Sequence, residues 1–120
     1  MPVVDVLLVN DGSNQPAGLA TAIAYAIGRA VSAPPGRVWV RLHLLPSGQY
    51  AENGEQVARE LPVFVTILEA RPPSGEALAA RANAVTLAVA GAVSRTPECV
   101  HVEFAPPGSG RVAFGGKLVQ

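Results

Sequence analysis

A pattern of strand, helix and strand occurs twice in this chain, about sixty residues apart, and few folds can hold it. The first copy opens with Pro2-Val3-Val4-Asp5-Val6-Leu7-Leu8-Val9, an aliphatic and β-branched run. The second opens with Pro62-Val63-Phe64-Val65-Thr66-Ile67-Leu68-Glu69, again behind a proline. Helical spacing follows each. Leu19, Ile23, Ala26, Ile27, Ala30 and Val31 form one stripe, and Leu78, Ala82, Val85, Val89 and Val93 the other. The turn cluster Asn10 to Asn14 and Ser74 offer helix-capping side chains, and Pro16 suits a first helical turn. Proline turns, Ala33-Pro34-Pro35 and Thr96-Pro97-Glu98, stop both helices. Strands then follow at 38–45 and 100–104. Between the copies, Pro46 to Leu61 is a polar loop with room for a short hairpin at Asn53-Gly54.

A strand–helix–strand unit contains a crossover, so its two strands run parallel. Two units predict an α+β (α/β) fold: one four-stranded mixed sheet with two helices on one face. The expected organisation is a single domain over 1–120, built from repeats at about 1–60 and 61–120. Both helices are rich in alanine and can sit close to the sheet. No third helix is left for the opposite sheet face, so other subunits are expected to cover it. The glycine-rich tail from Pro106 carries one short strand, 111–114, placed to reach a neighbour or close a pocket.

Apolar residues make up 49% of the chain and charged residues 15%, with zero formal net charge. That balance argues for a folded chain with no long-range attraction to nucleic acid or to an anionic membrane. The alanine-rich stretch from Ala17 to Ala33 contains Arg29 and is too short to span a bilayer. Cys99 is the one cysteine, which fits a reducing compartment. The first residues lack the basic region of a secretory signal, so a cytoplasmic location is expected. His43 and His101 have no metal-ligand spacing, and Gly116-Lys117 lacks the spacing of a phosphate loop. No metal or cofactor is expected.

Pro2 follows the initiator position, and a small second residue permits removal of Met1. Removal would leave a secondary amine at the end of a buried strand. An apolar wall disfavours its charged form, and a neutral amine at working pH can act as a general base. The plainer reading is that proline is tolerated at the start of a strand. Pro62 stands at the matching point of the second copy but is an internal amide. Strand geometry would explain both prolines; chemistry could use only Pro2.

Pro2 behind Met1, the tandem units, the Pro34-Pro35 turn before a strand and the closing Gly115-Gly116-Lys117 together resemble the tautomerase superfamily. The length is similar to its macrophage migration inhibitory factor and 5-carboxymethyl-2-hydroxymuconate isomerase branches. The resemblance covers the whole chain and implies a homotrimer whose three sheets form a barrel-like core. It also implies catalysis by the amino-terminal proline, here Pro2. Arg41 matches a substrate-binding arginine of the isomerases, and Arg71 falls where members line the pocket after the third strand. The inhibitory-factor branch implies Arg37, His101, Glu103, Val112 and Phe114 around the same cavity, some from an adjacent subunit. Two features depart from that branch. Ala33 stands where it has a lysine, and its Cys-x-x-Cys motif is absent, which removes the basis for a thiol oxidoreductase.

The implied activity is a cofactor-independent isomerase acting on a small unsaturated 2-oxo or 2-hydroxy acid. Arginines would bind the carboxylate and stabilise the developing enolate. With Pro2 cationic, the same site would serve a hydratase, dehalogenase or decarboxylase, and Glu103 could then activate water. A non-catalytic trimeric binding protein is the third reading. Each residue also has a plainer role: Arg41 and Glu103 in ion pairs, Arg71 on an exposed turn, Trp39 and Tyr50 in packing.

Overall fold

The computed structural model describes residues 2–54 and 60–120. Its elements are β1 (Val3–Asn10), α1 (Leu19–Ala30), β2 (Trp39–Pro46), β3 (Val63–Leu68), α2 (Gly75–Val93), β4 (Val100–Phe104), β5 (Ala113–Phe114) and β6 (Lys117–Leu118). The first four strands of this series form one sheet in the order β2-β1-β3-β4. β1 pairs parallel with β2, β3 pairs parallel with β4, and β1 meets β3 antiparallel at the centre. The expected mixed sheet with its two helices is therefore the fold. β5 and β6 make a separate small hairpin in the tail.

Period-two alternation gives the sheet two unlike faces. Val4, Val6 and Leu8 of β1 and Val63, Val65 and Ile67 of β3 are all within 1% of full burial. They form the core with Leu19, Ile23 and Ile27 of α1 and Val85, Val89 and Ala90 of α2. The opposite face carries Val3, Asp5, Leu7, Phe64, Thr66 and Leu68 on the same two strands. Most of these are only half-buried. No helix among the described residues covers that face.

The alternation corrects the sequence period. Helix-facing positions are even-numbered in β1 and odd-numbered in β3. Residues sixty apart therefore lie in opposite phases, and Pro2 and Pro62 are not equivalent. The Pro2 carbonyl accepts from the Trp39 N–H at 3.1 Å, toward β2. The Pro62 carbonyl accepts from the Val9 N–H at 3.2 Å, across the central pair. Each ring nitrogen sits where no ladder donor is required.

Helix caps also differ from expectation. α1 starts behind Gly18, whose φ of 78° needs no side chain, and no capping side-chain bond forms there. The turn cluster bonds within itself instead: the Ser13 hydroxyl donates to Asp11 at 2.6 Å, and the Asn10 amide donates to the Ser13 carbonyl. Ser74 does occupy the position before α2, without a capping side-chain bond. At the far end of α2, the Arg95 guanidinium donates to the Leu61 carbonyl at 2.8 Å and ties that end to the entry of β3. Burial lowers the Arg95 pKa, and Cys99, Asp11 and Glu60 oppose that shift.

By length and composition α2 could cross a membrane. Its apolarity has a local cause, since one stripe packs on the core and the rest is largely small residues. In the loop after β2, Ser47–Gln49 form one 3-10 turn and Asn53-Gly54 make the expected turn. The hairpin expected there falls partly on 55–59, outside the described residues.

Truncating Leu8, fully buried between sheet and helices, should cost about 2–5 kcal/mol in Leu8→Ala. Leu87→Ala, on the exposed face of α2, should stay within about 0.5 kcal/mol. Denaturant melts at one protomer concentration measure both, and equal losses would contradict the packing described.

Candidate active site

The antiparallel central pair brings the start of β1 to the end of β3. The parallel pair brings the start of β2 to the same edge. Pro2 is buried there, between the lead-in to β2 and the segment Leu68–Arg71. The tail closes over this edge. Ala105 donates to Ile67 at 2.9 Å, Gly108 to Glu69 at 2.8 Å and Ser109 to Ala70 at 3.1 Å, all through main-chain bonds. Gly108 allows the approach: a Cβ there would lie 3.2 Å from Val112 Cγ2 and 3.3 Å from Leu68 Cδ1. The tail then turns through Val112 and places Phe114 edge-on to Trp39, with ring centroids 5.2 Å apart. Trp39 is paired with Val3, one residue from Pro2.

Two cavities flank this end. The larger, about 680 Å³, lies between the last turns of α1 and the Pro34-Pro35 turn, and Arg29, Ala33 and Val38 help line it. The β1–β2 register, continued by one residue, places Val38 beside Pro2. The smaller is an apolar crevice under the tail, lined by Leu68, Ala70, Gly108, Val112, Phe114 and Val119.

The candidate residues divide into two groups. Pro2, Arg37, Arg71, Val112 and Phe114 gather at this end of the sheet. Arg37 is exposed just ahead of β2, and Arg71 is exposed just beyond β3. The Arg71 guanidinium donates to the main-chain oxygen of Gln120, at the end of the tail. Arg41, Glu103 and His101 instead lie on the open sheet face. Arg41 holds Asp5 through two bonds, of 2.6 and 2.9 Å. That hydrogen bonding pushes the Arg41 guanidinium pKa up, so it stays a cation. Glu103 accepts from the Thr66 hydroxyl at 3.4 Å. The registers Asp5–Arg41, Asp5–Thr66 and Thr66–Glu103 make these four one polar row across the sheet. His101 sits one row further from Pro2 along β4, its ring 5.4 Å from that of Phe64. Within one protomer the open-face residues do not converge on Pro2.

Sequence reading passed over an ion pair at the Pro2 end, Arg81 of α2 donating to Glu69. The signal was present: Glu69 continues the helix-facing run Val63, Val65, Ile67 with an acid where an apolar residue would fit. Its partner, twelve residues on, gave none. No group of metal-binding side chains occurs among the described residues.

No family model matches this sequence, and neither does any curated protein. Solved structures do match in fold. A fused 4-OT, described as a symmetric trimer, is 20% identical, with a TM-score of 0.75 over 98% of this chain and 94% of that one. The macrophage migration inhibitory factor from Oncomelania hupensis is 19% identical, with a TM-score of 0.73 over 100% of this chain and 83% of its own. A malonate semialdehyde decarboxylase, described with decarboxylase and hydratase activities, is 19% identical, with a TM-score of 0.69 over 94% and 90%. The chain has the tautomerase-superfamily fold, as the tandem units and proline pattern implied.

Trp39 is the chain's single tryptophan and reports on this site directly. Phe114→Ala should shift its emission to the red and raise its quenching by acrylamide. Unchanged emission would mean that the tail hairpin does not rest on Trp39 in solution.

Proposed function

We propose that this protein is a cofactor-independent tautomerase or isomerase that uses the Pro2 amine, freed by loss of Met1, as its general base. One observation carries the reading. A buried proline heads β1 at the end of the sheet where Val38 and Leu68 line two cavities, which Pro2 itself does not line, and where the tail, Arg37 and Arg71 also lie. The fold it shares with 4-OT supports the same chemistry. A small unsaturated 2-oxo or 2-hydroxy acid is the substrate class. Its carboxylate would exchange with the Gln120 oxygen on Arg71, and charge-assisted bonds favour that exchange. Pro2 would then take a proton next to the carbonyl and return it elsewhere on the conjugated system. The arginines would stabilise the enolate between the two steps.

Self-association as a homotrimer belongs to the same proposal. The open sheet face, apolar at Val3, Leu7, Phe64 and Leu68, is only half-buried in a lone protomer. A trimer would cover it and bring a neighbour's His101 and Glu103 toward Pro2. Arg41 would serve the substrate carboxylate only by leaving Asp5 or by sharing it across such an interface.

A second reading comes from the fold shared with malonate semialdehyde decarboxylase. There Pro2 would be a cation acting as an acid, in water addition or decarboxylation, and the rate would fall as pH rises through the amine pKa.

Ketonisation of 2-hydroxymuconate- or phenylenolpyruvate-type enols by protein of Met1-free mass separates these readings. A base mechanism gives a rate that rises with pH. Pro2→Ala, or retention of Met1, should lower it by about 10²-fold or more. Arg71→Ala should raise KM about tenfold or more, the loss of one charged hydrogen bond, and should lower kcat as well, since the enolate loses the same cation. Full activity in Met1-retained protein would overturn the amine base. Background rates on both enols would move the weight to acid chemistry, and after that to a binding role.

A further inference from the structure

The Glu69–Arg81 pair is only half used. Arg81 occupies one carboxylate oxygen of Glu69, whose side chain is 11% exposed. The other oxygen, Oε2, is shut off from solvent and has no hydrogen-bond donor among the described residues. Buried carboxylate oxygens are ordinarily satisfied, so a donor is called for here beyond those the described residues supply. The register says where one would come from. β1 and β3 pair Val3 with Leu68, so one step further Pro2 stands opposite Glu69. Both lie in the helix-facing phase, together with Val4 and Ile67. The Val9 N–H bond to the Pro62 carbonyl shows that odd-numbered β1 residues exchange ladder bonds with β3. The Pro2–Glu69 position is then of the non-hydrogen-bonded kind: the main-chain carbonyl of Pro2 turns toward β2, and the Pro2 ring and the Glu69 side chain are the parts that come closest. A proline nitrogen inside the chain has no hydrogen to offer. The free amine has one, and its protonated form has two.

We propose that Glu69 is the positioning residue for the Pro2 amine, accepting its N–H through Oε2. This rests on the reading of Pro2 as the base. When Pro2 takes a proton from the substrate, the amine becomes a secondary ammonium and the electron pair of the broken bond passes to the enolate. One ammonium N–H is held by Glu69; the other hydrogen returns to the substrate and restores the amine. Glu69 neither gains nor loses a proton in the cycle. Arg81, on the far side of the carboxylate, fixes its orientation. Asp5 and Arg41 neutralise each other on the opposite sheet face, and the other charged groups at this end are exposed: Arg37, Arg71, Arg29, Arg111, Lys117 and Glu76. They act on the amine through water, whereas Glu69 acts from within.

The test is a titration of the amine by nitrogen-15 NMR, on protein released from a cleavable leader so that Pro2 is the first residue. Glu69→Gln keeps the shape, removes the charge and leaves Arg81 unneutralised. It should lower the amine pKa by about one unit or more, and kcat about tenfold or more, with KM little changed. Arg81→Met leaves Glu69 unneutralised and should move the pKa the opposite way. A pair remote from the amine would shift it in neither direction, and a pair that acts by charge alone would leave kcat at saturating pH unchanged. The double variant Glu69→Gln/Arg81→Gln avoids a lone buried charge, should fold, and should also titrate below wild type. An amine pKa that stays within about 0.3 units in all three overturns the proposal. An amine that responds to Glu69 in a protein with no isomerase activity would keep the contact and discard the base reading. An active enzyme whose amine ignores Glu69 would do the reverse.

Discussion

The antiparallel contact between β1 and β3 is the constraint on which the molecule depends. It joins two strand–helix–strand units through their first strands, and it sets six aliphatic side chains, Val4, Val6, Leu8, Val63, Val65 and Ile67, under the two helices. Hydrophobic burial concentrated on one face fixes the register, because a slip of one strand by one residue would turn its three toward the open side. The same register decides what stands beside the first residues of β1. Leu68, Glu69 and Arg71 arrive there because β3 runs the other way. Trp39 arrives because β2 runs the same way.

The two sheet faces divide the labour. The helix face is dry and carries stability. The open face carries the polar row from Arg41 through Asp5 and Thr66 to Glu103, flanked by apolar residues on both sides. An exposed pair such as Arg41–Asp5 contributes little by itself to a lone protomer. Covering that face would desolvate the row and make its geometry matter. Assembly over that face would bear on the proposed chemistry, since the edge that holds Pro2 and the open face share Val3 and Leu68.

Most of the architecture was legible in the residues. Periodicity marked both helices and the four sheet strands, because alternation and helical spacing are local properties of a chain that buries one side of each element. The end of the chain that holds Pro2 was legible too. What misled was the period. Sixty residues separate two prolines of similar appearance, yet only the alternation of buried positions shows that they face opposite ladders. The capping of α1 also read wrongly, since Ser13 and Asp11 found each other sooner than a helix end, whereas Ser74 does head α2.

By itself, then, the sequence determined the fold class, the parallel units, the proline-headed strand and the chemical types available to it. These follow from residue character and spacing along the chain. The tertiary structure alone decided that Arg41 faces Asp5 across the open sheet while Arg71 stays beside Pro2, and that Gly108 lets the tail close over both Leu68 and Val112. It alone set Glu69 against Arg81, with one oxygen left to spare. Those are relations between residues far apart in the chain. They depend on strand direction and register, which no single stretch contains.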